Sequence, residues 1–259
     1  MTLPTDTWRG STVLRPGWLA FTGSAGATEA HAHAAVQVLL VTAGRIELSD
    51  VHGTRRPVHA AIIPTRTVHS LYGNADATAT MLYLDPDSAP GRHVTARLSG
   101  LAREELGTWV AAARDLLPPD AHTRAPSALV EGWEPVAARR NPGLMAAVEA
   151  LPRMLHAAVR LTDLAAAVGL SPSRLGHLFT TELGLSFPTY LRWARLRRVM
   201  ELARDGANLT EAAHGAGFSD SSHLTRACHE MFGLAPSRLI QAVRSADLSK
   251  SPGEASRDA

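Results

Sequence analysis

Cysteine, lysine and long apolar runs are scarce in this sequence of 259 residues. The single cysteine, Cys228, leaves no material for an internal disulfide framework and fits a reducing compartment. No apolar run approaches the roughly 18 residues that a membrane helix needs, and residues 1–10 lack the basic and apolar regions of a signal peptide. A cytoplasmic protein without a membrane partner is therefore expected. Lysine occurs only as Lys250, so arginine carries nearly all the positive charge.

The net charge of +2 is small, but it is unevenly placed. Residues 1–140 hold 13 Arg and 13 acids, residues 141–244 hold 11 Arg and 8 acids, and the remainder holds 2 basic and 3 acidic groups. The positive excess therefore sits in residues 141–244, as expected of a segment facing nucleic acid. With 45% hydrophobic residues, the length suits two domains, each with its own core.

One pattern is written twice. Leu161-Thr162-Asp163-Leu164-Ala165 through Gly169-Leu170-Ser171 matches Leu209-Thr210-Glu211-Ala212-Ala213 through Gly217-Phe218-Ser219 at an offset of 48, and after one inserted residue Leu175 falls on Leu224 and Gly184-Leu185 on Gly233-Leu234. Each copy has helix-turn-helix grammar. Thr162 and Thr210 are expected to cap the first helices, and Asp163 and Glu211 sit in their opening turns. Gly169 and Gly217 turn the chain. Ser171-Pro172 and Ser219 are expected to start the second helices. Leu175, Leu178, Phe179 and Leu224 point inward, which leaves Ser173, Arg174, His177 and Thr180 outward in one copy and Ser221, Ser222, Thr225 and Arg226 in the other. Such side chains suit base edges in a major groove. A helix from Phe187 to Arg204 joins the copies, with Arg192, Arg195, Arg197 and Arg198 crowded into two turns; Arg192, Arg195 and Arg198 are the expected phosphate contacts.

These residues resemble a known family. Gly215-Ala216-Gly217-Phe218-Ser219-Asp220-Ser221-Ser222-His223-Leu224-Thr225-Arg226, with Met231-Phe232-Gly233-Leu234-Ala235-Pro236 and with Arg195-Leu196 in the joining helix, is similar to the AraC/XylS family of bacterial transcription regulators. The resemblance implies a double helix-turn-helix DNA-binding domain over about Asn141 to Arg244, nucleoid-associated when bound to DNA. Two departures stand out. Leu224 and Cys228 stand where the family usually has aromatics, so the second motif is expected to be packed less fully. Gly176 stands at a base-reading position of the first motif, which shifts expected specificity to the second recognition helix.

The first half reads as short strands. Pieces between Trp8 and Phe21 are broken by Pro16-Gly17; residues 34–41 form a buried strand that turns at Gly44-Arg45 and returns through Ile46-Glu47-Leu48. Beyond a turn at His52-Gly53, strands follow at Ala60–Ile63 and Leu82-Tyr83-Leu84, the last broken by Asp85-Pro86-Asp87. An antiparallel barrel or jelly roll is expected. Gly26, His31, His33, Gln37 and Gly44, then Pro64 and His69, are similar to the two cupin motifs. That resemblance implies a divalent metal (zinc, nickel or iron) held by His31, His33, Gln37 and His69, although Gln37 replaces the usual glutamate, Arg66 replaces a usual glycine, and Asn74 is one residue late. The alternative is that these side chains line an effector pocket. His52, His59, His93 and His122 are expected at the surface. Residues 95–117 have the spacing of one amphipathic helix, with Trp109 serving either as a lid on the barrel or as a homodimer contact. Residues 118–133 read as a connector with a short helix near 127–131.

The expected fold is therefore α+β: a cupin-like antiparallel β-barrel (1–94), a helical linker (95–140), an all-α domain with two helix-turn-helix motifs (141–244) and a disordered tail (245–259). The expected function is sequence-specific transcription regulation. Its partners would be a double-stranded DNA operator, a small-molecule or metal effector and, for an activator, RNA polymerase. The alternative is a metal-dependent cupin enzyme fused to a DNA-binding domain. No carboxylate other than Glu29 neighbours the histidines in sequence and no nucleophile constellation is visible, so no enzyme is expected.

Overall fold

The computed structural model describes residues 8–133 and 140–240. The tail expected at 245–259 lies outside the described residues. Strands β1 (Arg9–Arg15) and β2 (Trp18–Ser24) form a hairpin whose Gly17 takes φ 84°. There follow β3 (Val36–Ala43), β4 (Ile46–Ser49), β5 (Arg55–Val58), β6 (Ala60–Ile63), β7 (Ser70–Gly73) and β8 (Thr78–Leu84). They sort into two antiparallel sheets, ordered β1-β2-β8-β3-β6 and β5-β4-β7. The Gly44-Arg45 turn thus does not make a hairpin as expected: β4 leaves β3 for the other sheet, where it pairs with β5 and β7.

Side-chain alternation explains the layers. Leu19, Phe21, Leu39, Met81 and Tyr83 point between the sheets and meet Ile46, Leu48, Val58 and Leu71. Their alternates Trp18, Ala20, Val36, Val38, Leu82 and Leu84 point outward, into a second core. That outer face is covered by α1 (Ala89–Ala96), α2 (Leu106–Ala113) and α3 (Pro126–Val130) through Val94, Leu98, Ala112, Ala113 and Leu129. The single helix expected over 95–117 is therefore two, interrupted where Gly100 takes φ 74° and Leu101 is exposed. Trp109 is fully buried, donates its indole N–H to Arg103 O at 2.7 Å and stands edge-on to His69, as a lid does.

The helical half comprises α4 (Pro142–Met154), α5 (Leu161–Ala167), α6 (Pro172–Leu183), α7 (Phe187–Arg204), α8 (Leu209–Gly215) and α9 (Ser221–Phe232). Apolar packing runs on from the sheets into this half, with Phe232 edge-on to Tyr83 and tilted against Trp193. Among the described residues no helix is long and apolar enough to cross a membrane.

Candidate functional site

Two helix-turn-helix units flank α7. In the first, Leu164, Ala165, Leu175, Leu178 and Phe179 are buried between α5 and α6, and Gly169 turns the chain at φ 67°. In the second, Gly217 takes φ 78°, and a Cβ there would stand 2.2 Å from Leu155 O, so both space and dihedral require glycine. Ser171 caps α6 as expected, accepting from Arg174 N at 3.2 Å. The other three caps differ from expectation. Thr162 and Thr210 lie inside their helices. Asp163 reaches back to Arg160 N, and Asn208 with Glu211 forms a reciprocal capping box at 3.0 and 2.9 Å. On α9 the cap is Asp220, which accepts from His223 N at 2.7 Å, while Ser219 bonds to Asp220 and His223.

The outward residues lie where their spacing predicts. Ser173, Arg174, His177 and Thr180 are exposed on α6, as are Ser221, Ser222 and Arg226 on α9; Thr225 is half-buried. Thr180 and Thr225 turn their hydroxyls back to the carbonyls of Gly176 and Ser221, at 3.1 and 2.7 Å. Leu224 and Cys228 are both enclosed, with Ala227, Met231 and Phe232 along the same side of α9.

The arginines of α7 divide by direction. Arg192 pairs with Glu230 of α9, and Arg198 pairs with Glu201 at 3.1 Å, both with substantial exposure. Arg195 donates to Ala157 O at 3.3 Å, and burial lowers its pKa. Pro188, Leu191, Arg192, Arg195, His223 and Arg226 together line a basic groove between α7 and α9.

Arg197 faces the β domain, a role that sequence reasoning missed. It pairs with Asp85, to which Trp193 Nε1 also donates at 2.9 Å; Tyr190 donates to Asp87 at 3.0 Å. Burial raises the Asp87 carboxyl pKa and lowers that of the Arg197 guanidinium, as expected of charges drawn into a seam. Asp85-Pro86-Asp87 reads in sequence only as a strand breaker, yet it is the strap on which α7 docks.

Three buried imidazoles meet beneath α9. His31, His33 and His69 each contribute one ring nitrogen to a group lying within 4.8 Å of one another. Local backbone builds the cluster: His31 and His69 exchange both N–H···O bonds at 3.0 Å, and Arg66 N binds His33 O at 2.8 Å. Arg66 sits at φ 63°, the left-handed region in which a glycine is at ease and which the cupin resemblance leads one to expect there. Every Nδ1 lies on a carbonyl: His31 on Glu29 at 2.9 Å, His33 on Ala35 at 2.8 Å, His69 on Thr67 at 3.0 Å. A carbonyl can only accept, so each ring carries its proton on Nδ1 and its lone pair on Nε2. Burial lowers all three pKa values, that of His31 to about 4. The Gln37 amide stands 2.8 Å from His33 Nε2 and 3.4 Å from Tyr83 OH. Gln37 Oε1 is the atom placed there, but since that nitrogen is an acceptor the hydrogen bond requires the amide turned so that its NH2 faces it. Gln37 thus touches the cluster through His33.

Neutral imidazoles anchored through Nδ1 suit zinc, nickel or iron. At Zn–N bonds near 2 Å a tetrahedral site spaces its nitrogens by about 3.3 Å, so the rings would close by up to about 1.5 Å and the Gln37 amide would release His33. Of the other histidines, His52, His59 and His122 are exposed as expected, whereas His93 is half-buried and stacked on Trp133.

Known proteins agree with this architecture. A helix-turn-helix domain family matches residues 164–242, which span both units. The activator RhaR of Pectobacterium atrosepticum is 39% identical over 64 residues, 24% of this chain, so that only 22% of the relative's length is matched. The Msm operon regulatory protein of Streptococcus mutans is 27% identical over 109 residues, covering 40% of this chain and 39% of that protein. Across both halves, ToxT of Vibrio cholerae, solved with an unsaturated fatty acid bound, superposes with a TM-score of 0.53 at 10% identity, covering 90% of this chain and 98% of ToxT, and so shares its fold. The described residues from 164 to 240 therefore belong to a domain of that helix-turn-helix family, joined here to a β-rich N-terminal domain in the two-domain fold also seen in ToxT.

Proposed function

We propose that this protein regulates transcription by placing α6 and α9 in successive major grooves of a double-stranded DNA operator, and that its β domain binds an effector that alters this placement. The observation that carries the reading is the pair of outward polar faces, Ser173, Arg174 and His177 on α6 and Ser221, Ser222 and Arg226 on α9, held apart by one continuous helix. An 18-residue helix is about 27 Å long, close to the ~34 Å of one DNA turn, so two readers at its ends suit successive grooves on one face. Arg192, Arg195 and Arg198 serve the phosphates between them. An activator would also meet RNA polymerase.

Effector response is supported by the seam. Phe21, Met81, Tyr83, Met200, Phe232 and Arg238 line a cavity of about 40 Å³ between the halves. That is room for about three waters, so a larger ligand must part the halves to enter. Binding would then be paid for by domain movement, which is the coupling that regulation requires.

Selection of binding sites from random and genomic DNA by the purified full chain tests the reading. Enriched sites should contain two short elements about 10 base pairs apart. Enrichment of one uninterrupted element would sink the two-groove arrangement, and no enrichment would sink sequence-specific regulation.

A further inference from the structure

We propose that a divalent transition metal bound by His31, His33 and His69 fastens the end of the second recognition helix to the β domain, so that metal occupancy sets DNA affinity through α9 and not through α6. The inference rests on the regulatory reading above and adds a second site, distinct from the seam cavity, with the route of its effect.

The route is backbone. Ala32, between two of the ligating histidines, donates its N–H at 3.1 Å to the carbonyl of Glu230 in the last turn of α9. Helix-terminal carbonyls have no partner within their own helix, so the β domain supplies one here. Next along the chain, Gly233 closes α9 in a left-handed conformation directly over the cluster: a Cβ there would come within 3.2 Å of His31 Nδ1 and of Glu29 O. Tyr83, which contacts the Gln37 amide, stands edge-on to Phe232 with ring centroids 5.4 Å apart. The cluster and the helix end therefore share walls.

Electrostatics say which state of the helix end the metal favours. The carbonyl end of a helix carries partial negative charge and favours a nearby cation. Three neutral imidazoles supply no charge of their own, so a bound dication leaves a net positive site under the terminus of α9. Metal binding favours the docked helix over the released one. Closing the three rings on one ion also pulls on the His31–His33 segment, whose Ala32 is hydrogen-bonded to that same helix end. By linkage, the factor by which metal changes operator affinity must equal the factor by which operator DNA changes metal affinity.

The test uses the full chain, stripped with a chelator and reloaded with zinc(II) or cobalt(II). Cobalt(II) should give the visible bands of a low-coordinate nitrogen site in the unmutated protein, which needs no variant to fold. His33→Ala and His69→Ala should lose that spectrum. Fluorescence anisotropy on a selected operator should show zinc changing the affinity by at least about 5-fold, the lower end of ordinary coupling. Scrambling the half of the operator read by α9 should abolish the response; scrambling the other half should leave it. Absence of the cobalt bands overturns the metal site. Bands without any change in DNA affinity overturn the coupling, as does a response that survives loss of the α9 half. Protein that takes up metal but prefers no DNA sequence overturns the regulatory reading itself, and the coupling with it.

Discussion

Arg226 projects from the middle of α9 into the basic groove beside α7, exposed and with a fork suited to a guanine edge. Replacing it by Ala should cost about 1–3 kcal/mol in specific binding and relax preference at one base pair, measured on a panel of single-base operator variants. Equal weakening on every sequence would make it a phosphate clamp instead. A second residue-scale effect follows from His31. Burial, with the neighbouring His33, pulls its pKa from 6.5 to about 4, so the unfolded chain takes up a proton near pH 6.5 that the folded chain refuses until about pH 4. Stability is then full above pH 6.5 and falls as pH drops through that window, with His31 alone accounting for about 3 kcal/mol at the acid end. Burial lowers the His33 and His69 pKa values too, so they act in the same direction. Urea unfolding of metal-free protein should show this loss, and His31→Gln should make the profile shallower; unfolding midpoints that do not move with pH would refute the buried neutral state.

At the scale of elements, α7 separates positioning from reading. Arg198 is part-exposed and, among the described residues, pairs with Glu201 on its own helix, so Arg198→Ala should weaken specific and random DNA alike and flatten the salt dependence by about one charge. A salt slope identical to that of the unmutated protein would rule out the clamp. The bounds of α7 were legible because apolar and basic residues repeat at helical spacing from Phe187 to Arg204. The break between α1 and α2 was less so. Leu98, Leu101 and Leu106 fit one helical stripe, but spacing cannot show that Leu101 faces water, and the cue was Gly100. The helix starts teach the same lesson. Thr162 and Thr210 are good capping residues in isolation, yet Asn208 with Glu211 three positions on is a stronger signal, since both side chains then satisfy backbone N–H groups. The partner of β4 was not legible at all, because alternation specifies a strand's two faces and not the sheet it joins. The histidine cluster was legible as a set but not in its placement under α9, which depends on contacts between residues some 200 positions apart, as Ala32 and Glu230 are.

The whole molecule depends on the seam, and there the arginine that looks like its DNA-facing neighbours does something else. Arg197 and Asp85 are mostly buried, with side-chain exposures of 14% and 10%, and Trp193 shares the same carboxylate. Burying such a pair gains little over an apolar contact, but removing one partner leaves the other charge without compensation, which typically costs about 3–5 kcal/mol. Arg197→Ala should therefore lower the unfolding free energy of the full chain by that order, while Arg197→Met combined with Asp85→Asn should recover most of it by removing both charges and leaving Trp193 an acceptor. The salt dependence of DNA binding should stay as it was for Arg197→Ala, in contrast to Arg198→Ala one residue along, because Arg197 points at the β domain and not at phosphate. A loss below about 1 kcal/mol would mean that the strap does not fasten the halves. A flattened salt slope would mean that Arg197 leaves Asp85 for DNA when the operator binds, and that the seam opens in the bound state.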